Sequence, residues 1–304
     1  MAAGIIAILS GLALGEGLSP QETLAKAVQE VSCLSFKTAY PLFDDVLKKA
    51  AEGSDLWQKA VFGKALCAQQ TAPATPEAIQ EAQGLYKALI EKAPDSPMTP
   101  RAMMNLGRIA ELSDYYQDVV DLAGARQWYE KVRDRYADKP IAGEAVLRIA
   151  GTYIQTFKKD EVAQGIELLR RWLAAHPDDP LASGMWQYLG DTYFFPLEEY
   201  DKCLECYLKV DKLGLVEKGL EGPFYWRVAM VADRYVKDRD VAVGFYAKVI
   251  RLASSSGKGY EAQLAMKRLG AKESEIPPLG GILSGSGKGH TPVSTTRAAP
   301  TEAK

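Results

Sequence analysis

Two cysteines three positions apart, Cys203 and Cys206, form the most obvious chemical motif in this chain. A Cys-x-x-Cys pair can exchange a disulfide or supply half of a zinc site. The other two cysteines, Cys33 and Cys67, form no second pair of this kind, and no histidine accompanies any of the four. Cys203 and Cys206 also occupy positions that equivalent segments fill with alanine and leucine, and a buried cysteine packs as a small hydrophobic residue. We therefore interpret the pair as core packing, and we predict no metal site and no cofactor.

Other groups that could support catalysis are sparse. His176 lies in a proline-bounded turn and His290 in a Gly/Ser-rich tail, so neither has a context typical of a base or a nucleophile. Residues 285–291 resemble a phosphate-binding loop, but Ile282 occupies the place of its first glycine and Gly289 the place of its Ser or Thr. No carboxylate pair stands out from the solvated helix faces. We predict no catalytic residues and a protein that is not an enzyme.

The overall charge is close to neutral, at −2 for 304 residues. Hydrophobic residues make up 47% and charged residues 25%, which is typical of a soluble globular protein. Binding to nucleic acid requires a concentrated basic field, and the few basic clusters here have acidic neighbours. Nucleic acid is therefore not an expected partner.

The elements that must position any site are set by an apolar pattern that occurs six times. Its anchor is a bulky residue that returns after 38 to 43 positions: Phe43, Tyr86, Tyr129, Leu169, Tyr207 and Tyr246. Four positions earlier there is a small residue or cysteine: Ala39, Ala82, Ala125, Gly165, Cys203 and Ala242. Further apolar residues one before and three after each anchor complete one face of a helix. A pattern copied at a near-fixed interval predicts a stack of repeated helical units.

A second motif, an apolar residue followed by a small one, alternates with the anchors. It occurs at Phe62-Gly63, Leu106-Gly107, Ile149-Ala150, Leu189-Gly190, Val231-Ala232 and Leu269-Gly270. Each repeat therefore consists of a helix A with this motif and a helix B with an anchor. The small residues are expected to let helices A and B approach closely. Proline-rich turns such as residues 93–97 and 176–180 end B helices, because proline cannot continue a helix.

The chain divides into three parts. Residues 1–17 include an uncharged apolar run of 13 residues, Ala2 to Leu14, which is shorter than the roughly 20 needed to cross a bilayer. Its length suits an export signal with a cleavage site at residues 13–15, although no basic residues precede it. We expect a periplasmic or secreted protein. A frayed first helix, with a cytoplasmic location, and a membrane anchor are alternatives, although anchoring is not expected.

The repeat domain is predicted to occupy residues 18–270, with about six helix pairs and a closing helix from about Tyr260 to Leu269. Such a closing helix covers the last apolar face of a stack. Residues 271–304 are rich in Gly, Ser, Pro and Thr, with almost no large apolar side chain after Leu283, so this tail is predicted to be disordered.

Residues 36–270 resemble the tetratricopeptide repeat (TPR) family. The repeat around Tyr129 matches its signature with Met103, Leu106, Gly107, Ala110, Ala125, Tyr129 and Val132. The repeat around Tyr207 matches with Trp186, Leu189, Gly190, Tyr193, Cys203, Tyr207 and Val210. The turn at residues 93–97, together with Ala102 and Leu106-Gly107, is similar to TPR proteins of bacterial envelopes, such as outer-membrane assembly lipoproteins and the Tol–Pal coordinator. The resemblance implies an all-α, right-handed α-α superhelix.

TPR proteins bind peptides or partner helices in a concave groove lined by helix A. Carrying those positions over gives Arg101, Met104, Arg108, Glu111, Gln187, Asp191, Phe194, Trp226 and Asp233. Arg101, Arg108, Phe194 and Trp226 are the strongest candidates, because aromatic and arginine side chains are frequent interface anchors. Packing against neighbouring loops is the alternative role for the two aromatic residues. We predict a protein-binding scaffold in a bacterial cell envelope, or, as the alternative, a structural subunit that self-associates through its terminal repeats.

Overall fold

The computed structural model describes residues 18–280, which form thirteen α-helices and no strand. The predicted all-α solenoid is confirmed. The apolar segment of residues 1–17 and the tail from 281 onwards lie outside the described residues.

The helices succeed one another through short connections. They are α1 (Pro20–Ser32), α2 (Phe36–Leu47), α3 (Asp55–Gln70), α4 (Pro76–Lys92), α5 (Thr99–Glu111), α6 (Leu122–Arg135), α7 (Ile141–Ile154), α8 (Lys159–Ala175), α9 (Ala182–Phe194), α10 (Tyr200–Leu213), α11 (Glu221–Met230), α12 (Arg239–Leu252) and α13 (Gly257–Arg268). A π-helical turn, Val231–Val236, continues α11, and a short 3-10 helix, Glu273–Glu275, comes after α13. The chain forms two compact units that divide between Met185 and Trp186.

Polar side chains fix where many of these helices begin. Ser19 and Glu22 form a capping box at α1, in which each side chain satisfies a backbone N–H of the other residue. A Ser, Thr or Asp side chain accepts a backbone N–H in the same way at five other helix starts: Ser54, Thr75, Asp121, Asp238 and Ser256.

Odd-numbered helices from α3 to α11 correspond to helix A, and even-numbered helices to helix B. In the N-terminal unit each helix from α1 to α8 packs mainly on its chain neighbours, and in the C-terminal unit α12 packs on both α11 and α13. Contacts that stay local in sequence are the defining property of a repeat stack. In the described residues, consecutive helices can be grouped as the pairs α1/α2 to α11/α12, with α13 after them.

The anchor residues form the core, as predicted. Tyr86, Tyr129, Leu169 and Tyr207 have no exposed surface, and Phe43 and Tyr246 are 2% exposed. The small residues four positions before them are buried as well. Burial of side chains of this size is the main source of stability in such a stack.

The glycines of the A motif provide close helix contacts. A Cβ added to Gly107 would lie 2.4 Å from the Tyr129 ring, and one added to Gly190 would lie 2.5 Å from the Tyr207 ring. Glycine is required at both positions because no side chain fits between backbone and ring. Gly63 differs: its backbone contacts the Phe43 ring of the preceding B helix.

The last apolar-small pair, Leu269-Gly270, lies at the end of the final α-helix and not inside it. There α13 has already ended, and Gly270 adopts a left-handed conformation (φ 71°) that terminates the helix. The chain then turns back, and Arg239 at the start of α12 donates hydrogen bonds to the carbonyl oxygens of Leu269 (3.0 Å) and Gly270 (3.0 Å). The pair therefore stops a helix and does not join two helices.

Candidate protein-binding face

The tyrosine anchors carry a polar group into the interface between helices A and B. Each hydroxyl donates a hydrogen bond to a side chain of its own helix A or of the turn that continues it: Tyr86 to Gln69 (2.9 Å), Tyr129 to Glu111 (2.7 Å), Tyr207 to Asp191 (2.5 Å) and Tyr246 to Asp233 (3.0 Å). Burial is the main cause that raises the pKa of all four tyrosines, so the hydroxyls remain protonated donors at neutral pH.

Side chains of the next A helix extend this pattern. In the C-terminal unit, Asp191 also pairs with Arg227 (2.8 Å) and Asp233 with Arg268 of α13. In the N-terminal unit, Asn105 donates to the Tyr86 hydroxyl (2.8 Å) and Gln155 to Glu111 (3.5 Å). Successive A helices within each unit are therefore linked by polar bridges.

Four of the predicted contact residues lie on α5. Arg101 is 55% exposed and pairs with Glu144 of α7 at 2.6 Å. Arg108 is half-buried, whereas Met104 and Glu111 are buried in the core. Arg101 and Arg108 are therefore the two of these four residues that reach the surface, and Arg101 is already paired with Glu144.

The other predicted residues lie in the C-terminal unit. Gln187 and Asp191 are half-buried on α9, and Asp233 is buried. The Phe194 ring contacts the rings of Tyr200 (5.6 Å) and Tyr235 (5.5 Å), so it belongs to an aromatic cluster.

Trp226 is half-buried on α11. Its ring meets the Tyr246 ring edge-on, with centroids 5.5 Å apart, and the Lys258 ammonium lies 4.3 Å from its centroid. Packing on neighbouring elements therefore accounts for most of the contacts of both aromatic candidates.

Arg108 and Asp114 form an incomplete ion pair. Its Nη1 lies 3.9 Å from Oδ1 of Asp114, in the connection between α5 and α6. Arg108 Nη1 and Asp114 Oδ2 are both buried without a hydrogen-bond partner among the described residues. Burial raises the pKa of Asp114, and Arg108 only partly opposes this. A buried polar atom without a partner costs about 1–3 kcal/mol, so this contact is a weak point of the surface.

Arg148 was not predicted and lies on α7, the helix that follows α6 and packs on α5. It is exposed, and it has no ion pair within residues 18–280. Hydrogen bonds from Arg101 to Glu144 (2.6 Å) and from Gln155 to Glu111 (3.5 Å) hold α5 beside α7. Arg108 lies between the two bonded positions on α5, and Arg148 lies between the two on the α7 side. We name the surface formed by Arg101, Asn105, Arg108, Arg148 and Gln155 the α5–α7 face.

The motifs with possible chemistry have structural roles. Cys203 is fully buried and Cys206 is 1% exposed, which confirms the packing interpretation. Burial raises the pKa of Cys203 to about 12, so its thiol is a poor nucleophile. The His176 ring stacks on Trp172 with centroids 3.8 Å apart.

Metal-binding clusters and membrane spans are both absent from the described part of the chain. Within residues 18–280, His, Cys, Asp and Glu side chains form no cluster of three or more that could bind a metal ion. The helices in this range are too short or too polar to span a membrane.

Comparison with known proteins identifies the fold. No protein-family model matches the chain, and neither does any curated protein. Among solved structures, pilF of Pseudomonas aeruginosa is 15% identical, with 81% of this chain and 96% of that chain covered and a TM-score of 0.51. PilW, a widely conserved type IV pilus biogenesis factor, is 14% identical, with 81% and 99% covered and a TM-score of 0.51. At this level of identity the similarity supports the TPR-like fold and nothing further.

Proposed function

We propose that this protein is a non-catalytic scaffold that binds a segment of another protein on its helix-A surfaces. The observation that carries the proposal is the α5–α7 face. Arg148 is exposed there without an ion pair within the described residues, and Arg108 has an unsatisfied donor. Arginine with unused hydrogen-bonding capacity is suited to recognition, because its planar group can bind a partner through several donors.

The setting that we propose is a bacterial cell envelope. Two observations support it: the export-like apolar run at residues 2–14 and the fold similarity to pilF and PilW. Fractionation of cells that express the full chain, combined with N-terminal sequencing, tests this location. A periplasmic protein shortened near Gly15 is expected. An intact chain in the cytoplasm would contradict it.

Site-specific photocross-linking tests the binding surface. A cross-linking amino acid at Gln155, which is exposed on the α5–α7 face, should capture a partner in the full chain, whereas the same group at Lys87, exposed on helix B, should not. Arg148→Glu should then abolish capture from position 155, while Lys87→Glu, with the same change of charge, should leave it intact. Equal capture at positions 155 and 87 would argue against the α5–α7 face.

Self-association through the terminal helices is the second candidate. Tyr260 and Leu264 on α13 are 55% and 49% exposed, and Val28 on α1 is 51% exposed, so both ends carry apolar side chains. Sedimentation velocity at increasing concentration distinguishes the two functions. Growth of the sedimenting species that is removed by Tyr260→Ser with Leu264→Ser would favour self-association.

A further inference from the structure

The contact between Arg108 and Asp114 suggests what kind of segment the α5–α7 face recognises. Well-formed arginine–carboxylate pairs in the same unit have nitrogen–oxygen distances of 2.6 Å (Arg101–Glu144) and 2.9 Å (Arg126–Glu161). The corresponding distance at Arg108 is 3.9 Å, and no hydrogen bond forms. Asp114 thus supplies a negative charge near Arg108 but does not satisfy its donor geometry.

We propose that Asp114 is an internal competitor at a site for an acidic side chain of the bound segment. The partner's carboxylate would bind between Arg108 and Arg148 and displace the Asp114 side chain from Arg108. This inference rests on the proposed scaffold function and specifies the chemistry of its partner: an extended or helical peptide with Asp or Glu at the contact position.

Charge on the face favours an acidic group. Glu144 already neutralises Arg101, and Glu111 is buried with its oxygens engaged by Tyr129 and Gln155. In this region of the described chain, Arg148 is exposed without an ion pair and Nη1 of Arg108 has no hydrogen-bond partner. A carboxylate that reaches both gains charge-assisted hydrogen bonds that Asp114 does not make.

Asp114 lies in the connection between α5 and α6, outside any helix. Its backbone is held, because its N–H donates to Asp118 Oδ2 (2.9 Å) and the next residue, Tyr115, packs against the core. At the other end of the connection, Asp121 caps α6 and donates its backbone N–H to the Ala110 carbonyl (2.7 Å). Rotation of the Asp114 side chain away from Arg108 therefore requires no helix to move.

Removing the competing charge tests the inference. In the full chain, Asp114→Asn keeps the shape of the side chain, and Asp138→Asn is the matched control because Asp138 is 75% exposed on a remote turn. The probes are two fluorescent eight-residue peptides, one of alternating Glu and Leu and the other of alternating Gln and Leu. Binding is measured by fluorescence anisotropy at low salt.

We expect Asp114→Asn to bind the Glu peptide three- to tenfold more tightly than the parent chain, and Asp138→Asn to bind it as the parent does. Arg148→Gln should bind it at least tenfold more weakly, and the Gln peptide should bind none of the variants better.

Unchanged or weaker binding of the Glu peptide by Asp114→Asn overturns the proposal, as does binding of neither peptide. Thermal unfolding of each variant checks the fold. Cross-linking at position 155 reports separately on the scaffold function, so a failed competitor and a failed scaffold are distinguishable.

Discussion

At the scale of single residues, the tyrosine hydroxyls determine which side chains helix A must carry. Phenylalanine would fill the same volume at the anchor positions, as it does at Phe43. Tyrosine adds one donor that is buried and therefore needs an acceptor. The acceptor is Glu, Asp or Gln near the end of helix A or just beyond it, at Gln69, Glu111, Asp191 and Asp233.

This coupling gives a mutational prediction. Tyr129→Phe should lower the free energy of unfolding by about 1–2 kcal/mol, because Glu111 loses its donor in a buried place. Adding Glu111→Leu should recover most of that loss, because both polar groups are then absent. Urea unfolding of the two single variants and the double variant measures the coupling. Additive losses would show that the hydrogen bond contributes little.

The cysteines provide a second residue-scale prediction. Cys33 is exposed, whereas Cys67, Cys203 and Cys206 are buried, and burial raises the pKa of Cys67 and Cys203 to about 12. We expect one thiol per chain to react rapidly with a thiol reagent at pH 8. The Cys33→Ser variant should lack this rapid phase of the labelling reaction. Rapid labelling of Cys203 in the native protein would revive the redox interpretation of the Cys-x-x-Cys pair.

At the scale of elements, a glycine inside a helix is needed only where another element packs closely against its backbone. Gly107 and Gly84 both lie inside helices, but a Cβ at Gly107 would overlap the Tyr129 ring, whereas nothing lies within 4 Å of one at Gly84. Gly107→Ala should therefore destabilise the protein by about 1–3 kcal/mol through overpacking. Gly84→Ala should stabilise it by about 0.5–1 kcal/mol, because alanine has the higher helix propensity. Thermal unfolding of the two variants measures both effects. If both substitutions changed the stability in the same direction, the close contact between Gly107 and the Tyr129 ring would be contradicted.

Sequence reasoning predicted the helices best where apolar periodicity was strong. All six B helices contain a predicted anchor, because a buried stripe constrains four positions per helix. The motif alone did not distinguish Leu269-Gly270 from the other pairs, because an apolar-small pair inside a helix and one at a helix end look identical in sequence. It also offered no motif for α1, which buries only Thr23 and Ala27.

The binding face was only partly predictable. Arg101 and Arg108 came from TPR positions carried over to α5. Arg148 lies in the repeat whose anchor is Leu169 and not tyrosine, and Asp114 lies in the connection between α5 and α6, where helical periodicity predicts no position. The pairing of Tyr129 with Glu111 depends on which turn of helix A faces the ring, and periodicity alone does not specify this.

At the scale of the whole molecule, stability should be distributed locally. In the N-terminal unit α1 to α8 pack mainly on their chain neighbours, and so do α11 to α13 in the C-terminal unit. Tyr246→Ala removes a buried aromatic side chain of α12 and should cost about 3–5 kcal/mol. In this variant we expect amide hydrogen exchange to accelerate mainly in α11 to α13, while the exchange rates of α3 to α6 stay close to those of the parent protein. Uniform acceleration along the chain would show that the fold behaves as a single cooperative block.

The polar bridges between successive A helices have a mechanical consequence. Arg268 ties α13 to Asp233, and Arg227 ties α11 to Asp191, so each link holds one helix to the one before it. A chain pulled from its carboxyl end would break these links one after another, and not all at once as in a sheet under shear. In optical tweezers the C-terminal unit should extend in small, reversible steps at low force, so that it yields gradually under load.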